Sequence, residues 1–220
     1  MLVSEMFLLM LLDGRKGKVF SRGRGTKDLG LAGAMILDLY LRGRVSIYGK
    51  KSRILDYHIS GYPYLDQILV FLYRSKRPLK LKTWLNRVSH FYKKLAQYIF
   101  QRLENQGILI CGFKKRRYYL VKPEIKNSLL DQMKKVVINN MSPGIELLCL
   151  LSLMKVCRLF KIYFIRKFRK QVRRRIKELL HSPYYTPNAR QIILSIIKAI
   201  EQIIRARKQA AASVAAVPMF

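Results

Sequence analysis

Residues 30–45 read GLAGAMILDLYLRGRV, and no other stretch constrains the fold as tightly. Leu31, Ala34, Met35, Leu37, Leu39 and Leu41 leave a helix that is apolar nearly all round, with Asp38 as its one charge. Such a helix belongs in the middle of a domain, because no face of it is suited to water. Asp28 is placed to cap its start by accepting from the free N–H groups of the first turn. Gly43 is placed to end it in the left-handed conformation, with Arg42 and Arg44 at the exit. Gly30 and Gly33 share a face on which a neighbouring backbone can come close. A chain built around this helix must wrap other apolar segments about it.

The chain has the means to do so. Half of its 220 residues are hydrophobic, enough for a core and too many for disorder. Its charge is the second constraint: 44 basic residues against 12 acidic ones give a net charge of +32. Self-repulsion on that scale implies a polyanionic partner, either an anionic membrane surface or nucleic acid. Cys111, Cys149 and Cys157 have no metal-ligand spacing; the latter two lie in an apolar helical pattern and read as core, as expected in a reducing cytoplasm. The opening MLVSEMFLLMLL lacks a basic n-region, carries Glu5 and leads into DGRKGK, so it reads as a core helix rather than a leader. The apolar runs at 145–157 and 192–204 fall short of the ~18–20 residues that a spanning helix needs, and both carry charge.

In chain order the pattern gives a helix over 4–12 with Ser4 as its cap, then the basic glycine loop DGRKGKVFSRGRG with a short strand at 18–20. That loop matches neither the P-loop nor the dinucleotide fingerprint. After the central helix come strands at 44–48 and 54–59, a helix over 64–73, and a short helix over 81–88 with Trp84 in the core. A longer helix over 91–105 ends at Gly107; Leu95, Ile99 and Leu103 face inward and Lys93, Lys94 and Arg102 face solvent. Strands at 108–110 and 118–121 bracket CGFKKRR as a hairpin, whose tip carries Phe113, Lys114, Lys115, Arg116 and Arg117. Helices over 124–139 and 144–160 follow. The densest charge run, 163–180, sets an apolar stripe of Phe164, Phe168, Val172, Ile176, Leu179 and Leu180 against eight cations. A last helix covers 188–207. The expected fold class is mostly α: one globular helical domain of about eight helices, residues 1–207, with short β-hairpin insertions and a C-terminal tail at 208–220.

Catalytic constellations are scarce. His58, His90 and His181 are scattered, no HExxH or Cys/His pairing occurs, and Ser4, Ser89 and Ser152 sit in no nucleophile elbow. A binding protein without metal or cofactor is expected, not an enzyme.

Taken in order, EMFLLMLLDGRKG, GLAGAMILDLYLRGRV, SGYPYLDQIL, TWLNRV and KLAQYIFQRLENQGIL, then a hairpin and the helices IELLCLLSLMKVCRLF and QVRRRIKELL, resemble the motifs of the Golgi phosphoprotein 3 family. The resemblance covers about 1–207, and order and spacing carry it rather than any one motif. It implies a mostly helical domain that binds rather than catalyses. Eukaryotic members of that family are peripheral membrane proteins that recognise phosphatidylinositol 4-phosphate and hold cytosolic tails of membrane enzymes. The implied pocket takes a tryptophan from the early loop, an arginine from the central helix and two arginines three apart on a later one. Here those positions fall near Gly23 (with Phe20 the nearest aromatic), at Ala32, at Lys93 and at Ala96. Only Lys93 keeps the character, so the headgroup-binding residues are expected to be Arg22, Arg24, Lys27, Lys93 and Lys94, with the hairpin tip touching the membrane. Lysine is a point charge without the bidentate fork of arginine, which implies poorer headgroup selectivity.

The resulting expectation is a cytoplasmic protein, peripherally membrane-associated (at the Golgi if eukaryotic), that binds anionic phospholipid headgroups. A bacterial-type member is expected because the long polar N-terminal extension of eukaryotic relatives is not in this sequence. A basic nucleic-acid-binding protein is the alternative reading, favoured by charge but by no recognition motif. A third is an adaptor for membrane-enzyme tails, as a monomer or a homo-oligomer.

Overall fold

The computed structural model describes residues 1–14, 16–20, 25–48, 51–73, 79–113 and 117–215. Helix α1 (Val3–Leu11) is buried on all sides, and α2 (Lys27–Leu41) is buried from Leu29 to Leu39. These two and α7 (Ile145–Val156) pack against one another as the centre of the molecule. The shell comprises α3 (Pro63–Tyr73), α4 (Leu81–His90), α5 (Tyr92–Asn105), α6 (Pro123–Ile138), the single turn α8 (Phe160–Tyr163), α9 (Arg166–His181) and the long α10 (Pro187–Ala215). Helices α4 and α10 cover α2, α10 also lies on α7, and α5 lies on α1. Three small antiparallel sheets decorate this body: β1 (Leu12–Asp13) with β2 (Lys18–Val19), β3 (Val45–Tyr48) with β4 (Lys51–Ile54) and β5 (Leu79–Lys80), and β6 (Leu109–Cys111) with β7 (Tyr118–Leu120). One contiguous hydrophobic core runs through all ten helices described, which makes this a mostly α single domain with small hairpins. Among the described residues, no helix is long and apolar enough to cross a membrane.

The start of α1 departs from the sequence pattern in an informative way. Ser4 is not its cap. The helix begins at Val3, behind Leu2, which has no side-chain acceptor to offer the free N–H groups. Asp38 supplies the acceptor from the middle of α2: Oδ1 accepts from the Val3 N–H at 2.7 Å and Oδ2 from the Ser4 N–H at 3.0 Å. Glu5 accepts from the Leu2 N–H at 2.9 Å and from Arg102 Nε at 2.8 Å, while the Tyr64 hydroxyl donates to it at 3.4 Å. Arg102 therefore does not simply face solvent; it neutralises a carboxylate that is 3 % exposed. Burial pushes the Asp38 carboxyl up to about 7, and the hydrogen bonds from Ser4 and Val3 pull it down.

Several boundaries also differ from expectation. The returning strand is 51–54, earlier than the expected 54–59, because the residues after Leu55 turn away: Asp56 ion-pairs with Arg44 and accepts from His58. The expected helix over 144–160 stops at Val156. Arg158 there has φ +59°, its N–H donates to Lys155 O at 3.1 Å, and the Leu159 N–H reaches Met154 O at 2.9 Å. That is a Schellman ending with arginine in the position glycine usually takes, at a cost of about 1 kcal/mol. Helix α10 runs on past 207 to Ala215. Trp84, Cys149 and Cys157 are core residues as read from the sequence, and the apolar stripe of α9 is buried at Val172, Ile176, Leu179 and Leu180.

The glycine face of α2 is used for close packing. A methyl group at Gly30 would overlap Phe7 Cζ and lie 2.6 Å from Cys157 Sγ, whereas at Gly33 it would meet the ends of Ile200 (2.9 Å) and Leu153 (3.0 Å) and the Ile196 Cγ2 at 3.3 Å. Alanine gains about 1 kcal/mol over glycine in a helix, and overpacking costs about 1–3 kcal/mol. Gly30→Ala should therefore destabilise the fold by about 2 kcal/mol and Gly33→Ala should lie within about 1 kcal/mol of the parent; urea denaturation of the two variants checks the order.

Lys126, 8 % exposed, donates to Leu12 O and lies 5.6 Å from the ring centroids of both Phe20 and Tyr163. Burial lowers its pKa from 10.5 to about 8, with Asp13 opposing the shift. Between those values the unfolded chain holds more of this proton than the folded one, so this group makes stability rise with pH across the window. Relative to a Lys126→Met variant, the parent should gain up to about 3 kcal/mol between pH 8 and 10.5, read as the difference in denaturation free energy.

Candidate functional site

The lysines expected at a headgroup come from two helix starts that the fold brings together. Lys27 opens α2, and its Nζ sits 5.6 Å from the ring centroid of Tyr92, the first residue of α5. Lys93 and Lys94 follow in the same first turn and are exposed. Arg22 and Arg24, in the loop that leads into α2, lie outside the described residues. So do Lys114, Lys115 and Arg116 of the hairpin tip.

Asp28 does not cap α2. Thr26 precedes the helix, and Asp28 sits within the first turn, where Oδ2 accepts from Arg207 Nη1 at 2.8 Å. The same guanidinium donates to Gly25 O and to Ser89 Oγ, each at 3.3 Å, so α10 is pinned to α2 and α4 beside the lysines. Nothing in the sequence pairs positions 28 and 207; only the path of α10 across α2 does. Tyr92 lies under this group. Burial, and then the Asp28 charge, pushes its hydroxyl up to about 12.

The electrostatics favour an anion. The first turn of α5 carries Lys93 and Lys94 and no acidic residue, which places cations at the positive end of the helix dipole. That arrangement costs about 0.3–1 kcal/mol per cation in the free protein. A phosphate over this turn meets two ammonium groups and a helix N-terminus, and reverses the sign of the interaction. Beside Lys94 a shallow groove of about 100 Å³ opens between α3, α4 and α5, lined mainly by Ile68, Phe71, Val88, Phe91 and Leu95. Phe91 packs edge-on against Phe71 and stays 44 % exposed, with Val70 and Tyr73 exposed on the adjoining face of α3. Cations and uncovered apolar groups thus occur side by side.

The hairpin lies against the second half of α5. Tyr118 stacks on Phe100 with centroids 4.5 Å apart, and the Cys111 N–H donates to Glu104 at 2.9 Å. Phe100 is about 10 Å along the helix from Lys93. The Tyr118 N–H also donates to Gly17 O at 2.9 Å, which joins the hairpin to the glycine loop. Phe113 is fully exposed and Arg117 half-buried. Tyr118, 9 % exposed, is strand packing and offers no free ring face to a base.

Ala32 and Ala96, which stand where the resemblance implies two arginines, are 2 % and 5 % exposed and belong to the core. Arg42 and Arg44 at the end of α2 are engaged locally: Arg42 lies 4.3 Å from the Tyr62 ring centroid, and Arg44 pairs with Asp56. Among the described residues, no three His, Cys, Asp or Glu side chains gather as a metal site would require.

A search of curated proteins yields no match to the chain. A family model described as Golgi phosphoprotein 3 (GPP34) matches residues 3–196, which takes in every element from α1 to α9. The chain belongs to the Golgi phosphoprotein 3 family.

Proposed function

We propose that this protein is a peripheral membrane protein that binds anionic phospholipid headgroups over the adjoining starts of α2 and α5. The observation that carries the reading is the clustering of Lys27, Lys93 and Lys94 at the starts of α2 and α5, with Lys94 on the wall of an apolar groove that holds Phe71 and the exposed Phe91. An anionic bilayer interface offers both phosphate charge and apolar depth, and such a surface matches both. Family membership supports the same reading. Exposed Phe113 at the hairpin tip adds an apolar contact close to the cations of that segment. Phosphatidylinositol 4-phosphate is the headgroup implied by the family resemblance. With alanine at 32 and 96 and lysine at 93, we expect weaker discrimination among phosphorylated headgroups than an arginine pocket gives. Catalysis forms no part of this proposal; an adaptor role, holding cytosolic tails of membrane enzymes at the surface, is compatible with it.

Nucleic acid is the second reading, favoured by the outer face of α9, where Arg166, Lys167, Lys170, Arg174 and Lys177 are exposed. Membrane-surface cations contribute about 1 kcal/mol each, so replacing three lysines by glutamate should lower affinity by at least about 100-fold. In liposome sedimentation, the parent should bind phosphatidylserine vesicles at low salt and leave phosphatidylcholine vesicles unbound. Lys27→Glu/Lys93→Glu/Lys94→Glu should lose that binding while keeping its helical circular dichroism. Equal binding to neutral and anionic vesicles, or unchanged binding by the triple variant, would sink the proposal.

A further inference from the structure

On the far side of Thr26 from Lys27 the surface carries a second, deeper basic site. Thr26 Oγ1 donates to Cys157 O at 3.4 Å, and Cys157 Sγ donates to Thr26 O at 3.3 Å, so the residue before Lys27 touches the residue before Arg158. Beyond that contact lies a cleft of about 400 Å³ formed by the end of α7, the start of α8, the first half of α9 and the middle of α10. Lys155 and Arg158 enter it from the end of α7, and Lys161 from α8. Arg169 and Arg173 line it from α9, and Arg205 and Lys208 from α10. Among the described residues, Glu201 is the single carboxylate in its wall.

Seven cations around one carboxylate repel one another, and two of them, Lys155 and Arg169, are half-buried. Lys155, half-buried, shows it: burial lowers its pKa, Glu201 raises it, and Arg173 and Lys177 lower it further. Arg158 holds a left-handed backbone that glycine would adopt without strain, and its side chain lines the cleft. The Arg169 Nε donates to Phe164 O at 2.8 Å, which fixes the stem of that side chain at the mouth. Volume and donor set match a small ligand with several clustered phosphate oxygens, for which guanidinium forks are suited. A nucleic-acid strand fits less well. The one ring in the wall, Phe160, is 4 % exposed and packs edge-on against Phe164, so no stacking platform is offered to a base.

We infer that this cleft between α7, α8, α9 and α10 is a binding site for a compact polyphosphorylated anion, separate from the surface at Lys27, Lys93 and Lys94. The inference goes beyond the headgroup reading and stands without it. The ligand is either a free polyphosphate or a multiply phosphorylated lipid headgroup, since the recognised chemistry is the same.

Isothermal titration of the full chain with inorganic tripolyphosphate tests it, using Arg158→Gly and Arg205→Gln, singly and together. Arg158→Gly relieves the left-handed strain while removing a guanidinium, so the fold is not at risk from it. Arg205 is exposed on α10. The parent should bind with saturation, and each variant should bind about tenfold more weakly, the loss expected when one charge-assisted contact is removed. The Lys27→Glu/Lys93→Glu/Lys94→Glu variant, altered outside the cleft, should retain a saturable tripolyphosphate site that adding Arg158→Gly/Arg205→Gln weakens, which separates failure here from failure of the membrane proposal. Vesicles carrying phosphatidylinositol 4,5-bisphosphate give the second arm. Loss of vesicle binding in the Arg158→Gly/Arg205→Gln variant assigns a lipid headgroup, and unchanged vesicle binding assigns a soluble anion; either outcome requires the loss with tripolyphosphate. Non-saturating heats, equal affinity in parent and cleft variants, or displacement of tripolyphosphate by a single-stranded oligonucleotide at matched phosphate concentration would overturn the inference.

Discussion

The carboxylate of Asp38 decides how the centre of this molecule is put together. A buried helix start has N–H groups that must be accepted by something, and α1 begins behind a leucine that accepts nothing. Asp38 answers from α2 with both oxygens, and Glu5 answers from within α1, itself held by Arg102 of α5 and Tyr64 of α3. Four helices are thereby fixed in register by buried polar contacts at the wall of a cavity of about 430 Å³, where leaving a buried acceptor or N–H without its partner is costly. Hydrophobic burial supplies the driving force, but it is non-directional; the Asp38 contacts supply direction.

That centre also sets where the charge goes. Once α1, α2 and α7 fill the middle, Lys93 and Lys94 of α5 and most cations of α9 and α10 are left on the outside. The Thr26–Cys157 contact then places the start of α2 against the end of α7, which brings two basic regions to either side of one point. Arg207 reinforces it by tying α10 to Asp28 and Ser89. The concentration of positive potential follows from packing, not from any single basic run in the chain.

How much of this was legible in the sequence can be seen residue by residue. The apolar wrap of 30–39, the inward Leu95, Ile99 and Leu103, and the α9 stripe at Val172, Ile176, Leu179 and Leu180 have helical periods that survive any choice of neighbours and are buried as read, whereas Phe168 is half-buried and Phe164 precedes the helix. The caps were misplaced. Ser4 and Asp28 have the right chemistry at the right spacing for local caps, yet a distant carboxylate took over the first role and a distant guanidinium claimed the second. Arg102 carries a charge on an amphipathic helix and so pointed to solvent, but a buried Glu5 ninety-seven residues away drew it inward. The left-handed Arg158 gave no signal at all, since the residue usually found there is glycine.

The sequence by itself determined the mostly helical class, the apolar segments of the core, the excess of positive charge and the family to which the order of motifs belongs. These properties are local or summed, and they do not depend on which helix touches which. Only the tertiary structure decided that Lys27 stands over Tyr92, that Lys94 borders an apolar groove, that Ala32 and Ala96 are core, and that basic residues from four separate segments line one cleft. Such sites are made by long-range packing, where each side chain's partner is set by shape and desolvation across the whole core rather than by its neighbours in the chain.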